Sequence, residues 1–230
     1  MKTIGVIGGI SWQSTAQYYR LLNEGVARRL GGSHSAKIIL ASVDFHEVER
    51  LQQAGDWDGA ATFLAGYARN LEIAGADFLV IAANTMHKVA PAVEAAVCIP
   101  LLHVADVTGA AVKRAGLHQA GLLGTRYTME QTFYRDRLQD LQQLATIVPD
   151  ERDRSTIHEI IYRELCRGEL REPSREAFRG IIRRLVAAGA DCIILGCTEI
   201  SLLVGQADSL VPVFDTTAVH CQAAVERALA

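Results

Sequence analysis

Cys197 is the residue whose surroundings best fit acid–base or nucleophilic chemistry. It follows Gly196 at the end of an apolar run, and Thr198 and Glu199 come directly after it, at an expected helix start. A helix N-terminus lowers the pKa of a thiol and favours the thiolate, which acts as base or nucleophile. We therefore predict a functional role for Cys197 and a structural one for Cys192, which lies inside the apolar run.

The segment around Cys197 repeats an earlier segment of the same chain. AGADCIILGCTEI begins at Ala188 and AGADFLVIAANTM begins at Ala74, so the two stretches are offset by 114 positions. At this offset Cys197 corresponds to Ala83, whose methyl group can neither remove nor deliver a proton. The repeat predicts two similar turns, of which only one carries a thiol.

Each copy of the repeat contains two polar turns that follow apolar runs. These turns cover residues 8–11 and 84–87 in the first copy, and residues 124–128 and 196–199 in the second. Backbone N–H groups at a helix start bind carboxylates well. Glycine and threonine also simply turn and cap a chain, so one such turn indicates little. Four turns paired by a repeat favour a binding site.

The elements that must position these turns alternate along the chain. Strand-like runs are predicted at residues 3–7, 37–42, 78–82, 101–104, 119–123, 145–148, 192–195 and 211–214. Helices are predicted at residues 14–30, 58–74, 90–96, 107–115, 129–141, 155–167, 174–188 and 218–229. This alternation predicts an α/β fold of two pseudo-symmetric halves, each a parallel sheet flanked by helices, with the active site in the cleft between them. The predicted halves are residues 1–105 with 216–230, and residues 106–215.

Composition excludes several classes of function. A formal charge of −3 without a basic stripe argues against nucleic-acid binding. No apolar run approaches the roughly 20 residues of a membrane helix, and the chain enters directly on a strand pattern, so we expect no membrane association and a cytoplasmic location. Five cysteines without a CxxC pair are expected to be free thiols, and seven scattered histidines predict no metal site.

Cofactor motifs are not apparent either. GVIGGISW differs from the G-x-G-x-x-G dinucleotide pattern, and there is no Walker A motif. Of the four lysines only Lys88 lies near a polar turn, which gives little support for a pyridoxal Schiff base.

Four motifs together resemble the aspartate/glutamate racemase family over essentially the whole chain: GVIGGISWQSTAQYYRLLNEG, ANTMHK, LLGTRYTM and LGCTEI. The Thr-Met-His sequence is similar to the branch with broad or L-Asp/L-Glu specificity. The resemblance implies an isomerase without a cofactor, a homodimer, and an amino acid, L-glutamate or L-aspartate, held between two halves. In this family one cysteine from each half faces the α-carbon; one removes the proton as thiolate while the other delivers a proton as thiol.

The resemblance also implies roles for individual residues. Cys197 matches the second catalytic cysteine, and Ala83 occupies the position of the first. Substrate-binding residues would be Ile10, Ser11, Gln52, Asn84, Thr85, Thr125, Thr128 and Thr198. His87 could tune the site, donate a proton or cap a helix, and Glu199 could orient a proton or bind the ammonium group. From its local sequence alone, Gln52 is interpreted as an ordinary helix-surface residue like Arg50, whereas the resemblance implies a contact to the side-chain carboxylate of the substrate.

Three hypotheses follow from Ala83. The first is an L-aspartate/L-glutamate racemase that is slow or one-directional, with Cys197 as principal base and a second proton from water, Thr85 or His87. The second is a single-cysteine decarboxylase or isomerase of the same superfamily, since arylmalonate decarboxylases resemble this arrangement. The third is a non-catalytic amino-acid binding protein.

Overall fold

Runs of branched apolar residues form two parallel sheets in the computed structural model, which describes residues 1–230. By its internal contacts the chain divides into a first unit, Met1–Val104 with His220–Ala230, and a second unit, Ala105–Val219. Every strand pair in both sheets is parallel, as the sequence predicts. None of the helices combines the length and apolar composition that crossing a membrane requires.

The first unit contains a three-stranded sheet in the order β2-β1-β3. Its elements are β1 (Ile4–Gly8), α1 (Trp12–Leu30), β2 (Ile38–Ser42), α2 (Phe45–Ala54), α3 (Trp57–Ile73), β3 (Phe78–Ile81), a 3-10 helix (Thr85–Val89) and α4 (Ala90–Ala95). Alternate residues of β3 enter two different cores: Leu79 and Ile81 pack in one, while Phe78 and Val80 pack in the other with residues of the C-terminal helix. A strand buried on both faces accounts for the continuous apolar run that predicted it.

The second unit contains a four-stranded sheet in the order β5-β4-β6-β7. The remaining elements are α5 (Val104–Arg114), β4 (Gln119–Gly124), α6 (Arg126–Glu130), α7 (Thr132–Gln142), β5 (Ala145–Ile147), α8 (Glu151–Arg163), a 3-10 helix (Leu165–Arg167), α9 (Glu172–Ala187), β6 (Cys192–Gly196), α10 (Ile200–Leu203), a 3-10 helix (Gln206–Asp208), β7 (Val213–Asp215) and α11 (Thr216–Leu229). The internal repeat is visible in the order of strands: β1 and β4 are each flanked by the next strand of the chain on one side and the following one on the other.

Two predicted elements differ from the structure, and one helix of ten residues is missing from the prediction. The strand predicted at 101–104 is a single bridge between Leu79 and Leu101, because α5 already begins at Val104. The helix predicted at 129–141 is divided into α6 and α7 by Gln131, whose backbone is extended. Helix α2 was not among the predicted helices, although Asp44 caps its start and the left-handed Gly55 ends it.

Candidate active site

The polar turns that the repeat predicts follow parallel strands at the same edge of each sheet. In the first unit Ile7 pairs with Ile81, so the turns after β1 and β3 are neighbours. In the second unit Gly124 pairs with Gly196, which brings Thr125 next to Cys197. The predicted site residues share deep burial, with at most 7 % of each exposed: Ile10, Ser11, Gln52, Ala83, Asn84, Thr85, His87, Thr125, Thr128, Cys197, Thr198 and Glu199.

Ala83 and Cys197 occupy equivalent positions in the two sheets. Ala83 packs in the same core as Leu79 and Ile81, and Cys197 packs in the same core as Ile193 and Leu195. Each residue thus continues one face of its strand at a spacing of two, which is the period of side chains along a strand. The offset of 114 positions therefore holds in three dimensions as well as in the sequence.

The thiol of Cys197 forms a hydrogen-bonded pair with Glu199. Its Sγ donates to Oε2 of Glu199 at 3.0 Å, and Oγ1 of Thr198 donates to the same oxygen at 2.7 Å. All three side chains are buried. One carboxylate oxygen of Glu199 thus accepts two hydrogen bonds. Hydrogen bonds to a charged acceptor are stronger than those between neutral groups.

The sequence-based expectation of a lowered Cys197 pKa is wrong. Burial raises the pKa of this thiol well above its ordinary value, and the negative charge of Glu199 raises it further. A hydrogen bond from the backbone N–H of Glu199 lowers the pKa, but it does not offset the effects that raise it. Without a bound substrate Cys197 is therefore a protonated thiol, and Oε2 of Glu199 accepts its hydrogen bond.

Ser11 and Thr125 cap the helices that follow β1 and β4. Ser11 accepts a hydrogen bond from the backbone N–H of Ser14, and Thr125 accepts one from Thr128. Both pairs are 114 positions apart. Capping by a side-chain oxygen fixes the helix start and the direction of its backbone N–H groups.

Glycine is required where these turns approach other backbone segments. A Cβ on Gly9, which has a φ of +85°, would lie 2.1 Å from the carbonyl oxygen of Val43. A Cβ on Gly124 would lie 2.9 Å from the carbonyl oxygen of Gly196. A side chain at either position would displace the turns that carry Ser11 and Cys197.

The turn at Ala83 is held by a histidine. Nδ1 of His87 lies 2.8 Å from the carbonyl oxygen of Ala83, and Nε2 lies 3.3 Å from the backbone nitrogen of Val104. A carbonyl can only accept and a backbone N–H can only donate, so Nδ1 carries the proton and Nε2 does not. Among the three roles considered for His87, this geometry favours one in support of the turn over proton donation.

Gln52 is not a surface residue. It lies on the inner face of α2, only 4 % exposed, whereas Arg50 is exposed. Nε2 of Gln52 donates a hydrogen bond to Sδ of Met86 at 3.1 Å. The interpretation from the local sequence is therefore wrong for Gln52, because α2 turns this side chain toward the segment after β3.

Sequence reasoning missed two polar residues behind the Ala83 turn. Tyr18 and His220 are fully buried, and the tyrosine hydroxyl lies 2.9 Å from Nδ1 of His220. The local signal was a histidine between the apolar Val219 and Cys221 on the packed face of α11. No group of three or more histidine, cysteine, aspartate or glutamate side chains is arranged to hold a metal ion.

Comparison with known proteins gives consistent matches. The sequence matches the family described as Asp/Glu/Hydantoin racemase over residues 7–224. A crystal structure of a candidate Asp/Glu racemase from Yersinia pestis is 55% identical, with a TM-score of 0.94, and the match covers 100% of both chains. An aspartate racemase homologue from Pyrococcus horikoshii is 32% identical over 100% of both chains, with a TM-score of 0.85. A broad-specificity amino-acid racemase from Bacillus subtilis is 23% identical over 167 residues, which are 71% of this chain and 70% of that protein.

Proposed function

Because this chain belongs to the Asp/Glu/Hydantoin racemase family, we propose that it is a cofactor-independent amino-acid racemase acting on L-aspartate or L-glutamate. Membership confirms the resemblance that the four motifs predicted and supports an isomerase of the racemase type. The observation that carries the finer proposal is the buried pair formed by Cys197 and Glu199 at the end of β6. In this proposal Cys197 is the principal acid/base.

The proposed reaction begins with the thiol rather than the thiolate. An amino acid brings an ammonium group, and a positive charge near a thiol favours its ionised form. As the ammonium arrives, the proton on Sγ passes along the 3.0 Å hydrogen bond to Oε2 of Glu199. The resulting thiolate then removes the α-proton, and the negative charge that develops on the substrate requires donors that are already in place.

Those donors are proposed to come from the turns. Asn84, Thr85 and Thr198 would hold the α-carboxylate and the ammonium group, and the capped helix starts at Ser11 and Thr125 would supply further hydrogen bonds. Ile10 and Thr128 complete the proposed set. The buried position of each residue supports the proposal, since hydrogen bonds to a charged group are stronger away from water.

Gln52 is proposed to bind the side-chain carboxylate of the substrate. Its amide is buried and anchored on Met86, so it is held in one orientation without a formal charge. A neutral amide is compatible with either length of acidic side chain, because it donates one hydrogen bond rather than forming a two-point ion pair. Replacement by leucine should weaken binding of both substrates while sparing α-proton exchange at saturation.

Ala83 makes the proposed reaction asymmetric. Inversion requires a proton from the face opposite the base, and residue 83 offers only a methyl group. Of the sources considered, water and Thr85 remain, whereas the Nδ1 proton of His87 is committed to the carbonyl oxygen of Ala83. The proposed racemase therefore exchanges the α-proton faster than it inverts the α-carbon.

Incubation in D₂O tests this proposal. L-glutamate and L-aspartate are incubated with the chain, and deuterium at the α-carbon is followed by NMR while the enantiomers are separated by chiral chromatography. Deuterium incorporation with slower appearance of the D-enantiomer supports the proposal. Absence of exchange together with measurable binding would instead support an amino-acid binding protein.

A single-thiol decarboxylase or isomerase is the second candidate. The observation that favours it is the inert side chain of Ala83, because protonation of a planar intermediate needs only one acid. Release of carbon dioxide from an α-substituted malonate, abolished in Cys197→Ser, would support this function in place of racemisation.

The predicted homodimer stays a prediction, which sedimentation analysis of the purified chain tests.

A further inference from the structure

Three histidines of the first unit are buried together behind the turn that contains Ala83. His87, His103 and His220 are 2 %, 3 % and 0 % exposed. The ring centroid of His87 lies 4.5 Å from that of His103 and 5.9 Å from that of His220, and both contacts are edge-on. Three polar rings in one apolar core need a reason, since burial of a polar side chain is costly unless its hydrogen bonds are made.

The hydrogen bonds of two of these rings fix their protonation. His87 donates from Nδ1 to the carbonyl oxygen of Ala83 and accepts at Nε2 from the backbone N–H of Val104. His220 has the opposite tautomer: Nε2 donates to the carbonyl oxygen of Leu102 at 2.8 Å, so Nδ1 accepts from the hydroxyl of Tyr18. Burial lowers the pKa of His220 to about 4, which keeps this ring uncharged at neutral pH.

The backbone groups that His87 joins lie on two different elements. Ala83 follows β3 and precedes the 3-10 helix that carries Asn84 at its cap. Val104 is the first residue of α5 and the last residue of the first unit's N-terminal segment. His220 binds the carbonyl of Leu102, two residues before Val104, so both histidines hold the same short segment.

We propose that His87 is a positioning residue: its ring, protonated at Nδ1, fixes the turn 83–85 against the start of α5. The inference deepens the proposed function and rests on it, because Asn84 and Thr85 of this turn would hold the substrate. His220 and Tyr18 support the arrangement from behind by holding Leu102. Small displacements of groups that orient a substrate reduce rates strongly, by about 10²-fold for a shift of about 1 Å.

The tautomer itself is the first test and does not depend on activity. The full chain is labelled with ¹⁵N-histidine, and long-range ¹H–¹⁵N spectra are recorded at neutral pH, with His87→Gln and His220→Gln used for assignment. We expect a protonated Nδ1 and a bare Nε2 for His87, and the reverse for His220. A His87 ring protonated at Nε2, or at both nitrogens, would overturn the proposal.

Two substitutions at residue 87 provide the second test. Glutamine can present one N–H and one carbonyl oxygen, as the ring of His87 does, whereas phenylalanine fills the space without either group. We expect His87→Phe to lower α-exchange of L-glutamate by about 10²-fold, and His87→Gln to remain within about tenfold of the unchanged chain. His34→Gln, an exposed histidine of the same unit, is the control and should have no effect.

The effects of the residue 87 substitutions on KM and on kcat show whether His87 positions the turn or only stabilises the fold. A misplaced turn should raise KM for L-glutamate and lower kcat at temperatures where the variant is fully folded. Equal losses in His87→Phe and His87→Gln, or full activity in both, would contradict the positioning role. If His87→Phe does not fold, the tautomer of the unchanged chain still decides the question.

Failure of the proposed function would be distinguishable from failure of this inference. If no amino acid undergoes exchange, the proposed racemisation is wrong, while the Nδ1–H tautomer and the amide shifts of Asn84, Thr85 and Val104 in His87→Phe still report on the turn. Shifts of these three amides that are larger than those of residues in the second unit support positioning. Unchanged amide shifts would overturn it.

Discussion

The turns after β3 and β6 have the same place in their sheets and different chemistry. Ala83 and Cys197 each continue one buried face of a strand, 114 positions apart. At the next two positions the first turn has Asn84 and Thr85, whereas the second has Thr198 and Glu199. The second turn therefore holds a thiol, a hydroxyl and a carboxylate in one hydrogen-bonded group, while the first holds no ionisable side chain at its tip.

The two turns also differ in what stabilises them. The Ala83 turn is bound through its backbone carbonyl by the neutral ring of His87. In the Cys197 turn the side chains of Cys197 and Thr198 donate to Glu199, and burial together with the charge of Glu199 raises the pKa of the thiol. Equivalent positions of the two repeated sheets thus carry a side chain that can ionise in one unit and a methyl group in the other.

Removing the thiol should have the largest effect. Cys197→Ser is expected to lower deuterium exchange at the α-carbon of L-glutamate by about 10³-fold or more, because a hydroxyl is far too weak an acid to replace a thiol as proton carrier. Cys192→Ala, a buried cysteine at the start of the preceding strand β6, serves as the control and should retain exchange. Unchanged exchange in Cys197→Ser would remove the basis of the comparison.

Restoring the missing thiol should have the next largest effect. Ala83→Cys is expected to raise the rate of enantiomer formation by about 10²-fold relative to exchange, since the proposed reaction would then have a second acid. Serine has nearly the same shape as cysteine but is a much weaker acid, so Ala83→Ser should raise the rate of enantiomer formation much less. If both variants invert the substrate no faster than the unchanged chain, positions 83 and 197 do not act on one substrate.

Neutralising Glu199 should have an intermediate effect and a diagnostic pH dependence. Glu199→Gln is expected to lower exchange by about 10²-fold because it removes the acceptor of the thiol proton. The same change removes a negative charge, so the pKa of Cys197 should fall and alkylation by iodoacetamide should reach its half-maximal rate at lower pH. An alkylation profile that does not move would show that Glu199 does not act on the thiol.

The smallest effect concerns the histidine behind the Ala83 turn. The pKa of His220 is lowered to about 4 in the folded chain, so between about pH 6.5 and pH 4 the unfolded chain binds a proton that the folded chain excludes. Stability should therefore fall as the pH falls through this window, with about 2 kcal/mol lost at pH 5 from this residue alone.

Urea unfolding at pH 7 and pH 5 checks this expectation. His220→Gln keeps an N–H and an acceptor but does not titrate, so its loss of stability between the two pH values should be smaller than that of the unchanged chain by about 2 kcal/mol. Above about pH 7.5 this contribution is constant. Equal losses in the two proteins would contradict the lowered pKa.

Most elements of the fold could be predicted because their signals are local. Apolar runs such as Phe78–Ile81 are buried on both faces, and the alternation with helices determines a parallel sheet. The sequence predicts a strand at residues 101–104 because an apolar run after a proline resembles a strand. Only one bridge, at Leu101, forms before α5 begins. Helix α2 was not predicted because its apolar face is short and includes a glutamine, Gln52, at a buried position.

The candidate site divides in the same way. The sequence by itself determined the repeat, the correspondence between Ala83 and Cys197, and the family, because these depend on the order of residues along the chain. Only the tertiary structure decided the protonation of Cys197, the burial of Gln52 against Met86 and the tautomer of His87. These properties depend on desolvation and on hydrogen bonds whose geometry is set by the packing of separate elements, such as α2 on the segment after β3, and no local pattern of residues specifies them.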